Sequence, residues 1–297
     1  MKKALKVISL MLVAVLMVMS FAACGSKDDA ATGPDTTKET KTPAVKVIEI
    51  NLTDEDYAFG VDKNQPELLE KVNSFIAEIK SNGTFDAICN KYFAGGTPDV
   101  IKSAALDSTK DQLVVATNAA FEPFEYTNGD GYSGIDMEIA KALADSLGKE
   151  LVIQNMDFDS VCLSVGQHKC DIAMAGLTVK PEREEYVTFS TPYYKASQRL
   201  IVKGTDTKFD SCTDAASVEA ILKTFDSSVK IGVQNGTTAQ LYCEGDAEME
   251  FPGLNAVCVG YKSGSLAVQD MINGNINYVI IDAAPAACIA QSINEVN

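Results

Sequence analysis

The chain has no tryptophan, a single histidine, and few basic residues for its length: 25 Lys and Arg against 41 Asp and Glu in 297 residues. With only His168, in the turn-like run GQHKC, a His-based catalytic triad is nearly excluded. The excess of acid argues against nucleic acid or anionic lipid as a partner and favours solubility. There is no CxxC and no Cys/His cluster, so no metal site and no cofactor is expected. Besides Cys24 the cysteines stand at 89, 162, 170, 212, 243, 258 and 288, an odd number that cannot all pair within one chain. Most should be buried apolar thiols, with some disulfide possible if the chain is exported.

What is present is apolar residue: 46% of the chain, enough for a sizeable core and two domains. Residues 1–23 carry Lys2, Lys3 and Lys6, then an apolar run from Val7 and small residues before Cys24. This reads as a secretory signal peptide, and Phe-Ala-Ala-Cys resembles a bacterial lipobox, with Phe21 where Leu is usual. Lipid on Cys24 would anchor the chain to the bacterial cell membrane outside the cytoplasm. Residues 24–46, polar and without apolar period, read as a flexible tether. Removing the signal takes away three lysines and no acid, moving the net charge from −16 to −19.

Along the rest of the chain, Val47–Asn51 predicts a strand, and DEDYAFGVDK a turn then a strand with Tyr57, Phe59 and Val61 on one face. Helical spacing follows over Gln65–Ile79 and again in TFDAICNKYF, two sticky helices with no sheet of their own to cover. Residues 94–111 are a connector. From Gln112 strands and helices alternate: Leu113–Thr117, Leu151–Asn155 and Asp171–Ala175 as strands, then 198–203, Lys230–Val233, Ala256–Val259 and Tyr278–Ile281. This order predicts two α/β lobes with parallel strands and a ligand crevice at their carboxyl ends.

The run AMAGLTVKPERE, Ala173 to Glu184, gathers the chemistry. Gly176, Thr178 and, after Pro181, Arg183 stand where a strand ends, and a guanidinium matches a carboxylate. The competing reading pairs Arg183 with Glu182, Glu184 or Glu185 on a solvated surface. Phe121 and Phe124 flank Pro123 past the first strand of this region, as ligand contacts or as core. VQNGTTAQ places Gln234, Thr237 and Thr238 at a second turn, and Asp282 closes a strand before Ala-Ala-Pro. A zwitterion leaving water needs a positive fork on one side and an acid on the other, and Arg183 with Asp282 supplies both.

Taken in order, FEPFEY, MDFDSV, DIAMAGLTVKPER, FSTPYY, VQNGTT and YVIIDAAPA resemble the solute-binding proteins that feed polar amino acids to bacterial ABC importers, over residues 112–297 and separately 47–93. The resemblance implies an α/β protein of two Rossmann-like lobes joined by two hinge strands, the type II periplasmic-binding-protein fold. It implies no catalytic residue, monomeric action, and permease subunits as partners. Phe121 and Phe158 would sandwich the ligand side chain. Arg183 and the N–H groups of Thr178 and Thr238 would hold the α-carboxylate, with Thr237 beside them. Asp282, the Thr178 hydroxyl and the Gly176 carbonyl would hold the α-ammonium, and Asn118 and Gln234 would line the far end. The family often has an acid where Asn118 stands, so the expected ligand is a neutral amino acid. Asn118 as a turn residue is the plainer alternative.

The order of pieces departs from the family: the hinge strand and closing helices that normally end the chain stand at 51–93. The expectation is therefore a circular permutation, with 47–55 in lobe two, 56–93 the hinge strand and closing helices of lobe one, 94–111 the bridging linker, 112–200 lobe one and 201–297 lobe two. The strands expected to cross between lobes are 198–203 and Tyr57–Lys63. Two other functions fit the same scaffold: a dehydratase acting on prephenate-like acids, with Glu122 or Glu125 as general acid, and a ligand-binding sensor module.

Overall fold

In the computed structural model, which describes residues 42–296, ten strands sort into two five-stranded sheets. The signal peptide, Cys24 and most of the expected tether lie outside the described residues. In chain order the strands are β1 (Val45–Ile48), β2 (Glu55–Tyr57), β3 (Gly60–Asp62), β4 (Gln112–Thr117), β5 (Ala120–Phe121), β6 (Glu125–Asn128), β7 (Gly131–Ser133), β8 (Glu150–Asn155), β9 (Ile172–Ala173), β10 (Val187–Phe189), β11 (Tyr194–Ala196), β12 (Gln198–Lys203), β13 (Lys230–Gln234), β14 (Val257–Tyr261) and β15 (Tyr278–Asp282). The helices are α1 (Pro66–Ser81), α2 (Thr84–Phe93), α3 (Ile135–Leu147), α4 (Val161–Gly166), α5 (Pro181–Glu184), α6 (Ala215–Leu222), α7 (Thr238–Glu244), α8 (Gly264–Ile272) and α9 (Ala283–Val296).

The first sheet runs β10-β3-β9-β4-β8 and the second β1-β12-β15-β13-β14. In each, parallel pairs form the α/β part, β8-β4-β9 and β14-β13-β15, so their carboxyl ends face a common crevice. Antiparallel strands complete both sheets.

The run expected as one strand around Tyr57 is two. β2 pairs with β11 in a two-stranded ladder between the sheets, Tyr57 opposite Tyr194, and β3 enters the first sheet between β9 and β10. This corrects the expected crossing at 198–203: β12 lies in the second sheet from Gln198, opposite Asp282, and the crossing falls at Tyr194–Ala196. The tether also ends sooner than expected, because Val45 and Lys46 already pair with Lys203 and Val202.

The two sticky helices find their surface on the first sheet. Leu68, Val72, Phe75, Ile76 and Ile79 of α1 and Ile88 of α2 bury in one cluster with Val61, Leu113 and Ile135. Phe59, between β2 and β3, stacks on Tyr193 at 4.3 Å between ring centroids. Residues 94–111 are laid along the first lobe: Ile101 exchanges two backbone hydrogen bonds with Tyr132, and Ala104 donates to Leu151. At the other end of the chain Asn294 in α9 bonds both the N–H and the carbonyl of Val45.

Because β3 is interior to the first sheet, a 112–297 fragment leaves β9 and β10 without their shared partner and should show no cooperative urea transition by circular dichroism. In the whole chain, Phe59→Ala removes a ring only 1% exposed and should lower unfolding stability by about 3–5 kcal/mol. A loss under about 1 kcal/mol would place that ring outside the packed core.

Candidate functional site

Past β9 the chain turns through Gly176 at φ 54°. A Cβ there would come within 3.0 Å of the Phe121 ring and 3.3 Å of the Tyr57 ring, so glycine lets both rings close on the turn. Its N–H donates to Asp136 at 2.9 Å. Thr178 then bridges Tyr57 of the crossing strand, and its hydroxyl donates to Glu55 at 2.6 Å.

Arg183 is buried and folds back over this turn. Nη1 donates to the Thr178 carbonyl at 2.8 Å, and Nη2 reaches the Gly236 carbonyl of the opposite lobe at 3.1 Å. The guanidinium sits 5.1 Å from the centroid of the Phe158 ring. The flanking acids do not hold it: Glu182 takes Lys180 at 2.8 Å instead. The charge is thus held by dipoles and a ring face, without a carboxylate.

From the second sheet, β13 ends at Gln234 and the chain turns through Gly236 at φ 73°, pressed so close to the first lobe that a Cβ would stand 3.3 Å from the Asp159 Cα. The Thr237 hydroxyl donates to the Gln234 carbonyl at 2.7 Å, and Thr238 opens α7. Gln234 Nε2 donates to Asn118 Oδ1 at 3.0 Å, while Asn118 Nδ2 donates to the Met156 carbonyl at 2.7 Å. With Lys262 paired to Asp157 at 3.0 Å, the two lobes meet and the crevice is closed.

Asp282 ends β15, buried. It accepts from the Tyr57 hydroxyl at 2.6 Å and Gln198 Nε2 at 2.8 Å. Gln198 Nε2 also donates to Glu55 at 2.9 Å, so two buried acids share one amide. Burial above all, then the Glu55 charge, pushes the Asp282 carboxyl up to about 7 against the bonds from Tyr57 and Gln198. Glu55 is the site residue the sequence reading missed. Strand alternation was the available signal, since Glu55 and Tyr57 share a face.

Further polar groups stand buried without a hydrogen-bond partner among the described residues: Thr117 Oγ1 at the end of β4, Gln234 Oε1, Gln198 Oε1 and Thr238 Oγ1. Such atoms cost roughly 1–3 kcal/mol each until something pairs them. Both oxygens of Glu125 are also unpaired; burial first, then Asp136 and Asp282, holds its carboxyl well above the usual range. Asp136, bonded by Gly176 N–H and the Tyr193 hydroxyl, is pushed up to about 7 by burial. A cavity of about 540 Å³ opens beside Phe121, walled by Glu122 and Tyr126 from one lobe and Ile281, Pro285 and Cys288 from the other.

The structure thus joins Asn118 to Gln234, Phe158 and Thr178 to Arg183, Phe121 to Gly176 and Thr237 to Gln234, with Thr238 opening α7 next to Thr237, while Asp282 is reached through Tyr57, which also lies against Gly176. No group of three or more His, Cys, Asp or Glu among the described residues is arranged to hold a metal ion.

Comparison with known proteins places this geometry. The family model of bacterial extracellular solute-binding proteins, family 3, matches residues 9–95 and 113–277. The arginine-binding extracellular protein ArtP of Bacillus subtilis is 40% identical over 97 residues, 33% of this chain and 38% of that protein. An ABC transporter arginine-binding protein of Escherichia coli is 32% identical over 178 residues, 60% of this chain and 65% of that one. These alignments thus span less than two thirds of either relative. Among solved structures, an ancestral amino acid-binding protein described as a precursor of cyclohexadienyl dehydratase matches at 31% identity and a TM-score of 0.51, over 61% of this chain and 74% of the other. With the family model covering most of the sequence and the two-lobed α/β fold agreeing with it, the chain belongs to the bacterial extracellular solute-binding proteins of family 3.

Proposed function

We propose that this protein binds one free amino acid between its lobes and delivers it to the permease of an ABC importer, held outside the cytoplasm by lipid on Cys24. The observation that carries the reading is charge without a counter-charge. Arg183 is buried with only carbonyl acceptors and a ring face, while Asp282 and Glu55 are buried with only neutral donors. Leaving charges so is costly unless a partner of opposite sign arrives. An amino-acid zwitterion supplies both signs in one molecule. Its carboxylate goes to Arg183 and the N–H groups of Thr178 and Thr238, its ammonium to Asp282, the Gly176 carbonyl and the Thr178 hydroxyl oxygen. Phe121 and Phe158 hold the side chain between them, and Thr237 shapes the turn.

At the far end the two amides, Asn118 and Gln234, join the lobes, and Gln234 Oε1 is still free to accept. A cationic side chain losing its hydration needs an acid there, whereas a neutral amide or hydroxyl is met by these groups. The ligand is accordingly a neutral polar amino acid, although relatives are named for arginine. A second reading, a dehydratase, is favoured by one observation: Glu125 is a buried, unpaired carboxyl raised well above the usual range by burial first, then by Asp136 and Asp282. Incubation with prephenate-like acids and product absorbance tests it; release of an aromatic product would overturn the binding reading.

The unusual order of pieces is read as a circular permutation within the family. Residues 45–93 give β1 to the second sheet, β3 to the first and two covering helices, although they precede β4. The contact between Val45 and Asn294 supports the same reading, because the closing segment could follow α9 through a short link.

Calorimetry against the twenty amino acids should give its tightest Kd for a neutral polar one, and tighter binding of arginine would overturn the specificity. Arg183→Met should weaken binding by about 2–5 kcal/mol with the fold intact. The Asp282 carboxyl, at about 7 when folded against 3.8 for the free group, keeps a proton that the unfolded chain gives up. Stability of the ligand-free protein should therefore fall as pH rises between these values. Affinity should rise as pH climbs toward 7, since ammonium needs the ionised acid; Asp282→Asn should flatten the affinity profile and lessen the slope of the stability profile, to which Asp136 and Glu125 also contribute. A rearranged chain beginning at residue 112 and carrying residues 45–93 after a short link at its end should fold and keep its affinity within about threefold, or under 1 kcal/mol; failure to fold would count against the permutation.

A further inference from the structure

In the second lobe, the 12-residue stretch between α7 and β14 is tightly turned. Gly245 at φ 96°, Glu250 at φ 57° and Gly253 at φ 75° reverse the chain, and Asp246 and Phe251 exchange backbone bonds. The Leu254 N–H then donates back to the Cys243 carbonyl at 2.8 Å, and Phe251 packs edge-on to Tyr242 at 5.3 Å. This return lays β14 along β13, with Cys258 opposite Ile231. Cys243, near the end of α7, is buried in the same apolar cluster as Ile231, and Cys258 packs against that cluster. Helix α7 packs on β14, and the two thiols adjoin closely enough for each to shift the other's ionisation. Of the seven described cysteines, these two are held together by helix, turn and strand.

We infer that Cys243 and Cys258 form a disulfide that staples α7 to the edge strand β14 when the chain meets an oxidising compartment. The chemistry needs an external disulfide as oxidant. The pair of thiols gives up one proton, and Cys258, the more exposed, attacks that disulfide, forming a mixed disulfide and releasing one thiol. Cys243 then loses its proton, attacks the Cys258 sulfur and expels the second thiol. The net change is two protein thiols oxidised and one external disulfide reduced to two thiols. The staple closes a short loop and so restricts the unfolded chain. It also fixes the helix whose first residue is Thr238, on the crevice wall. The location outside the cytoplasm rests on the function proposed above; the pairing itself does not.

The test uses residues 25–297, fully reduced and then equilibrated with excess oxidised glutathione. Thiol titration in denaturant should fall by two, and non-reduced peptide mapping should join the peptides holding Cys243 and Cys258. The thermal midpoint should rise by roughly 5–10 °C. In Cys258→Ala the oxidant should leave both thiol count and midpoint unchanged. An unchanged count in the wild-type chain, a link between other cysteines, or an equal midpoint shift in Cys258→Ala would overturn the inference. None of these readouts requires an amino-acid ligand, so the inference can fail while the binding function stands.

Discussion

The hydrogen bond from the Tyr57 hydroxyl to Asp282, 2.6 Å long, is where the parts of this molecule meet. Tyr57 belongs to the strand that crosses between lobes, and its ring is buried against Phe124, Tyr193 and Tyr194 of the first lobe and hinge. Asp282 belongs to the central strand of the second sheet. One phenol therefore ties the crossing to the acid of the site, and Gly176 must lack a side chain for that ring to fit. Any motion of the lobes about β2 and β11 must pivot where Tyr57 stands.

Around that contact the protein carries charges that folding alone does not repay. Asp282 and Asp136 are both driven up to about 7, chiefly by burial, and Glu125 is likewise held well above the usual range, by burial first. Arg183 is desolvated on the facing wall. Ion pairing within the chain would have been the stable arrangement, yet Arg183 in the first lobe and Asp282 in the second are not paired with each other. Stability is given up locally, the pattern expected where something other than packing selects the residues, and the amino-acid binding proposed above would supply the missing partners.

The residues proposed to set specificity also join the lobes. The Gln234 and Asn118 amides form both the far end of the crevice and a contact between lobes, and Arg183 bridges to Gly236 in the same way. A ligand that displaces or extends these bonds changes the closing equilibrium in proportion to its preference for the closed form. Under the proposed function, binding and lobe movement would be one equilibrium.

The sequence by itself determined most of the elements and the polar corners of the site. Helical spacing over residues 65–79 and the TFDAICNKYF run gave α1 and α2, and α7 begins and ends where NGTT and Gly245 place it, because caps and apolar period are local properties. Arg183, Thr178 and Asp282 were legible because strand ends and turns carry polar residues where a packed core would not. Tertiary structure alone decided how one apparent strand around Tyr57 divides: alternation is the same whether Tyr57 pairs in a hinge or Val61 pairs in a sheet, and only long-range partners distinguish them. It likewise decided that Arg183 reaches the Gly236 carbonyl across the crevice rather than the glutamates beside it, and that Glu55 and Asp282 share the Gln198 amide. Those facts depend on residues more than 50 positions apart meeting in space, which no local pattern records.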